Sequence, residues 1–220
     1  MTERNETRQT GELNRLLSSA SHALRTPLSV VMLELGFIPD ERARKIEADI
    51  DALGGSIRRT FLLLKLHTNA LDDRSEFELS SLVSELVDEL DDLRAAKAQD
   101  LIVDVKRAPR IVGSREAVRE SIRGLIENAL TYAPTSSRVR VSTQHPASLT
   151  IEDSGNGIEP EHIARASNPF GHQPTSGIAP GIGLALADAT ARYHGRQMRI
   201  DRSELGGARV TLDFEAAANH

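Results

Sequence analysis

Ile151-Glu152-Asp153-Ser154-Gly155-Asn156-Gly157-Ile158 puts an acid at the end of an apolar run, with two glycines close behind it. Leu149 to Glu152 reads as a strand, so Asp153 sits where the chain leaves it. A carboxylate there can accept a hydrogen bond from an exocyclic amine, and the glycines give a flat base open access to the backbone. An ordinary hairpin turn fits the same residues. A calcium loop would need further acids at alternating positions, and the sequence lacks them.

Working outward, Val139 to Thr143 is the strand expected to pair with Leu149 to Glu152 as a hairpin. Ser114 to Thr131 reads as a helix with Ser114 as its N-cap. Leu101 to Lys106 alternates as a strand, and Glu78 to Ala98 as a short strand leading into an amphipathic helix. Beyond a stretch rich in Pro, Gly, Ser and His between Pro160 and Pro180, Gly183 to His194 reads as a helix ended by Gly195. Met198 to Asp201 and Ala208 to Phe214 make a last hairpin around Gly206-Gly207. Hairpins with helices between them predict an α+β sandwich, one sheet under one helical layer.

The chain before Phe77 differs in character. Leu13, Leu17, Ala20, Leu24, Leu28, Val31 and Leu35 recur in steps of 3 and 4, a helical stripe. Phe37-Ile38-Pro39-Asp40 interrupts it. Ile46, Ile50, Leu53, Ile57, Phe61 and Leu64 form a second stripe. Two long helices joined by a short turn predict an antiparallel hairpin. Pairing two hairpins completes a four-helix bundle, so a homodimer is expected. The domains read as a polar tail at 1–10, the hairpin at 11–74 and the sandwich at 77–216.

Composition narrows the function. Among 220 residues, Lys and Arg total 27 and Asp and Glu 32, a net charge of -5 that argues against nucleic-acid binding. The chain has no Cys, which excludes disulfides, Cys-ligated zinc and thiol chemistry. No run approaches the ~18 apolar residues of a membrane span. These features fit a cytoplasmic location, either as a soluble protein or as the cytosolic part of a longer membrane protein.

Three further stretches carry chemistry. In Ser21-His22-Ala23-Leu24-Arg25-Thr26-Pro27-Leu28, helical phase turns His22 away from the apolar seam, with Thr26 one turn later on the same face. Pro27 removes a backbone donor and tends to kink the helix. In Glu127-Asn128-Ala129-Leu130-Thr131-Tyr132, an Asn near a helix end can offer a neutral oxygen to Mg²⁺. Pro180-Gly181-Ile182-Gly183-Leu184 opens a helix whose backbone donors suit phosphate.

Ser-His-x-Leu-Arg-Thr-Pro-Leu resembles the H-box of bacterial two-component sensor histidine kinases. The segment around Asn128 resembles their N-box, Asp153 to Gly157 the G1 box, Asn168-Pro169-Phe170 the F-box and Gly181 to Leu184 the G2 box. They follow one another in the family's order over most of the chain. The resemblance implies a Bergerat-type ATP-binding domain behind a dimerisation and phosphotransfer hairpin. It implies ATP and Mg²⁺ as cofactors, with Asn128 on the metal and Tyr132 beside the adenine. It further implies Asp153 on the adenine amine, with Gly155, Gly157, Phe170, Gly181, Gly183 and Leu184 around the nucleotide. His22 would accept phosphate from ATP and pass it to a response-regulator Asp. Thr26 would serve dephosphorylation of that regulator. The sequence departs from the family at Ala23, where an acid is usual, at Gly124, where an Asn is usual, and at Thr131, often basic. Ala23 removes a neighbouring base, which suggests a phosphatase-biased protein. The alternative is a relay phosphotransferase or dimeric adaptor with a weakened ATP site.

Overall fold

A computed structural model describes residues 28, 31, 41–71, 73–95, 97–105, 110–144, 147–161, 163 and 182–217. The chain separates into two compact units, Met1–Leu71 and Asp72–His220. The predicted first helix, apart from helical Leu28 and Val31, lies outside the described residues, so the hairpin rests on the sequence.

In the first unit, helix α1 runs Glu41–His67. Ile46 and Leu53 of its predicted stripe are exposed, whereas Leu62, Leu63 and Leu66 near its end are buried. Asn69 ends it at φ 49, a left-handed position that Asn tolerates, and the Ala70 amide donates back to Lys65 O at 2.8 Å.

The second unit begins with strand β1, Arg74–Glu78, and helix α2, Leu79–Glu89. Leu79, Leu82, Val83 and Leu86 repeat at helical spacing and are all buried. A short helix α3, Asp91–Ala95, leads to strands β2, Asp100–Val105, and β3, Arg110–Ser114. Helix α4 spans Arg115–Tyr132, and the Ser114 hydroxyl caps it by accepting from the Ala117 amide at 3.1 Å. Strands β4, Arg138–Gln144, and β5, Ser148–Asp153, follow. Helix α5, Ile182–Tyr193, and strands β6, Met198–Arg202, and β7, Ala208–Asp213, complete the domain.

Five strands form one sheet in the order β2-β4-β5-β7-β6. The β4–β5 and β6–β7 neighbours are antiparallel hairpins, as expected. The β2–β4 pair is parallel, because β3 and α4 intervene and return the chain in the same direction. A second sheet, β1 against β3, was not anticipated. Only Ile111 and Val112 are strongly apolar in β3, and Gly113 interrupts any alternation, so the strand has no period to read. The expected strand near Glu78 lies slightly earlier, at Arg74–Glu78.

Period-two alternation splits the main sheet into two faces. Val139, Val141, Leu149, Ile151, Val210 and Leu212 join one core with α2, α4 and α5. The opposite phase is polar: Arg140, Ser142, Thr150, Glu152, Arg209 and Thr211. Asp153 is in phase with Ile151. It therefore ends β5 on the helix-facing side of the sheet.

Candidate nucleotide site

A cavity of about 280 Å³ opens between the sheet and α4. Its floor is Leu125, Ala129, Ile151, Leu184 and Val210, apolar side chains suited to a flat ring. Asn128, Tyr132, Asp153 and Gly157 border it, so these expected site residues meet at one place. Asn156, Ile158 and Glu159 add to the rim.

Asp153 is fixed by backbone donors. Its Oδ1 accepts from the Gly155 amide at 2.8 Å and the Ala208 amide at 3.2 Å. The first bond closes the turn after β5; the second comes from the neighbouring strand. Among the described residues, no hydrogen bond engages Oδ2, which stays available to a ligand donor. The Gly207 amide also donates to Asp153 O at 3.1 Å. A Cβ on Gly207 would lie 2.0 Å from Asp153 Oδ1, so only glycine lets β7 approach this closely.

On the far face, Glu152 anchors the same junction. Ser203 Oγ donates to it at 3.1 Å and Arg209 Nε at 2.9 Å. The bond Arg209 donates to Glu152, together with the Glu152 charge, raises the Arg209 pKa above its ordinary value.

Gly155 and Gly157 do different jobs. Gly157 sits at φ +90, a conformation L side chains rarely adopt. At Gly155 space is limiting: a Cβ there would be 3.0 Å from Asp153 Oδ1 and 3.4 Å from Ala133 Cα. Gly183 does not line the cavity. It packs on α4, where its Cβ would lie 3.3 Å from Gly124 O and 3.2 Å from Asn128 Nδ2. Helices α4 and α5 thus approach closely at a pair of glycines. The departure at Gly124 lies within this crossing and is buried. His22, Thr26, Phe170 and Gly181 lie outside the described residues.

Sequence reasoning named Leu184 of the apolar floor but missed Leu125, Ala129, Ile151 and Val210, which look like any core, and the Ala208 amide, which has no side-chain signature. It noticed Gly206-Gly207 but did not assign Gly207 to the site. The double glycine ahead of a strand was the available signal.

A mixed sheet faced by helices, with a cavity between an Asn-bearing helix and an Asp-Gly turn, makes this an α+β domain with one candidate ligand site described. Residues 113–218 match the family described as histidine kinase-, DNA gyrase B- and HSP90-like ATPase. The chain is 27% identical over 216 residues to sensor protein QseC of Escherichia coli O157:H7, covering 91% of this chain and 47% of that protein. It is 26% identical over 211 residues to sensor histidine kinase CpxA of Escherichia coli K12, covering 90% and 46%. The solved structure of full-length ShkA in complex with AMPPNP shares the fold with TM-score 0.64 and 17% identity, over 93% of this chain and 47% of that one. The chain is therefore similar to sensor histidine kinases along most of its length, and residues 113–218 are similar to the ATPase domain of that family. It spans about half the length of the curated relatives it matches.

Proposed function

We propose that this chain is the catalytic core of a sensor histidine kinase. It binds Mg²⁺-ATP in the cavity beside Asp153 and transfers the γ-phosphoryl group to His22. The observation that carries the reading is the Asp153 carboxylate, held by two backbone amides at the mouth of an apolar slot with one oxygen left over. That arrangement suits a planar base with an exocyclic amine. Tyr132 would flank the base. Asn128, whose amide nitrogen is turned toward Gly183, would offer its carbonyl oxygen to Mg²⁺, a cation that takes oxygen ligands and shares them with phosphates and water. The N-terminus of α5 would receive phosphate oxygens.

Transfer breaks the bond between the γ-phosphorus and the bridging oxygen of ADP and forms a bond from phosphorus to an imidazole nitrogen of His22. A response-regulator Asp then takes the phosphoryl group, which regenerates the imidazole. Such chemistry is mostly positioning and charge neutralisation. Thr26 would act in dephosphorylating the regulator, with the missing acid at Ala23 biasing the protein that way. The exposed Ile46 and Leu53 support a homodimer through the hairpin at 11–74. Among the described residues no helix is long and apolar enough to cross a membrane, which is compatible with a cytoplasmic location for this part of the molecule.

Calorimetric titration with ATP tests the site. Asp153→Ala should abolish measurable binding, because the adenine amine is left unpaired in an apolar slot. Asn128→Asp should alter the Mg²⁺ dependence. ATP affinity unchanged in the Asp153 variant would overturn the assignment.

A further inference from the structure

Tyr132 borders the cavity, yet it is 66% exposed, so packing does not hold its ring. Its place depends on the backbone at the end of α4. That end carries carbonyls with no intrahelical partner and the negative pole of the helix dipole. The structure shows what satisfies them. The Ala133 amide takes Ala129 O at 3.1 Å. Lys97 Nζ donates to Leu130 O at 2.9 Å and to Thr131 O at 2.6 Å. Gln99 Nε2 lies 3.2 Å from Ala133 O, 3.1 Å from Pro134 O and 3.1 Å from Ser137 Oγ. Backbone bonds reinforce the contact: Ser136 N to Lys97 O at 3.2 Å and Asp100 N to Ser137 O at 2.9 Å.

Neither Lys97 nor Gln99 lines the cavity. Together they grip the carbonyls on both sides of Tyr132. The cavity's other wall abuts the same segment, since a Cβ on Gly155 would lie 3.4 Å from Ala133 Cα. Gln99 is buried, and its Oε1 has no hydrogen-bond partner among the described residues. A buried acceptor left unpaired costs stability. The side chain retains it while its amide nitrogen faces three acceptors at the site's edge. Lys97 contributes a charge-assisted pair of bonds at the pole where a cation is most effective.

We propose that Lys97 and Gln99 are positioning residues for the nucleotide site: they clamp the C-terminal end of α4 so that Tyr132 is aimed at the bound base. The inference deepens the nucleotide reading and rests on it.

The sequence supplies its own reporter, having two tyrosines and no tryptophan. In a Tyr193→Phe background Tyr132 is the sole tyrosine, so its fluorescence anisotropy reads the clamp without ligand. In that background Lys97→Met should lower the anisotropy of Tyr132 and raise the Kd for ATP about tenfold. Lys97→Arg should restore both. If Lys97→Met does not fold, Lys97→Gln, with a neutral donor, should shift both readouts by less in the same direction. Unchanged anisotropy, with or without a change in Kd, overturns the proposal, as does failure of Lys97→Arg to rescue. If the Lys97-containing protein binds no ATP, the nucleotide reading fails, and the anisotropy alone decides whether the clamp exists.

Discussion

Gly207→Ala is a test of the Asp153 geometry that leaves Asp153 itself untouched. The new Cβ would stand 2.0 Å from Asp153 Oδ1, 2.5 Å from the Gly155 nitrogen and 2.6 Å from Asp153 O. Reaching an ordinary contact near 3.4 Å demands a displacement of about 1.4 Å. Two of the three atoms are backbone, so rotating the carboxylate cannot relieve the clash. The start of β7 must move away from β5. That movement breaks the Gly207–Asp153 backbone bond of 3.1 Å and the Ala208–Asp153 bond of 3.2 Å. A neutral backbone bond contributes about 1 kcal/mol net and one to a charged group about 1.5–3 kcal/mol. Destabilisation of about 2.5–4 kcal/mol follows, and a misaimed carboxylate should weaken ATP binding on the order of tenfold to a hundredfold. Gly206→Ala is the control. Gly206 has φ +108 and nothing within 4 Å of an added Cβ, so backbone strain of about 1–2 kcal/mol should appear without a comparable loss of affinity. Urea unfolding and ATP titration of the two variants decide it. Wild-type ATP affinity in folded Gly207→Ala would refute the reasoning.

Other consequences concern acid stability and the hairpin. His194 is buried with its Nδ1 at 2.7 Å from Thr190 O and its ring edge-on to Phe214. Burial lowers its pKa below the ordinary value; the Arg74 charge lowers it too, while the Thr190 bond and Asp73 oppose the shift. The unfolded chain then binds the proton more readily, so this contribution to stability is complete above about pH 6.5 and is lost as pH falls toward the depressed folded value. Urea melts of His194→Gln and the parent should diverge below that pH; parallel profiles would refute the assignment. For the hairpin, Ala23→Glu should raise autophosphorylation, with gains up to the 10²-fold to 10⁴-fold of a general base, on the order of magnitude. Thr26→Ala should slow dephosphorylation of the regulator and spare autophosphorylation. A paired assay with the cognate regulator reads both, and an unchanged labelling rate in Ala23→Glu would end the argument for a phosphatase bias.

Elements with a clear period were legible in the sequence. Helix α4 carries Val118, Ile122, Leu125 and Ala129 at steps of 3 and 4 behind a Ser cap, and the structure starts it where Ser114 indicates. The β4–β5 and β6–β7 hairpins follow from alternation and from Gly206-Gly207. What stayed hidden was non-local. The parallel β2–β4 pairing and the β1–β3 sheet depend on contacts that no short window contains. At the site, side chains with a chemical signature, Asn128, Tyr132 and Asp153, could be named in advance. The Ala208 amide and the carbonyls held by Lys97 could not, because backbone groups are the same at every residue. Gly183 shows the limit from the other direction: a glycine in a phosphate-like motif turns out to pack against Gly124.

The most direct measurement of the central claim is incubation of the chain with γ-labelled ATP and Mg²⁺, followed by acid and alkali treatment of the labelled protein. The account predicts label that acid removes and alkali spares, as a phosphoramidate bond requires, and its complete loss in His22→Gln, a variant that still binds ATP. Label that survives acid, or that persists in His22→Gln, would contradict it.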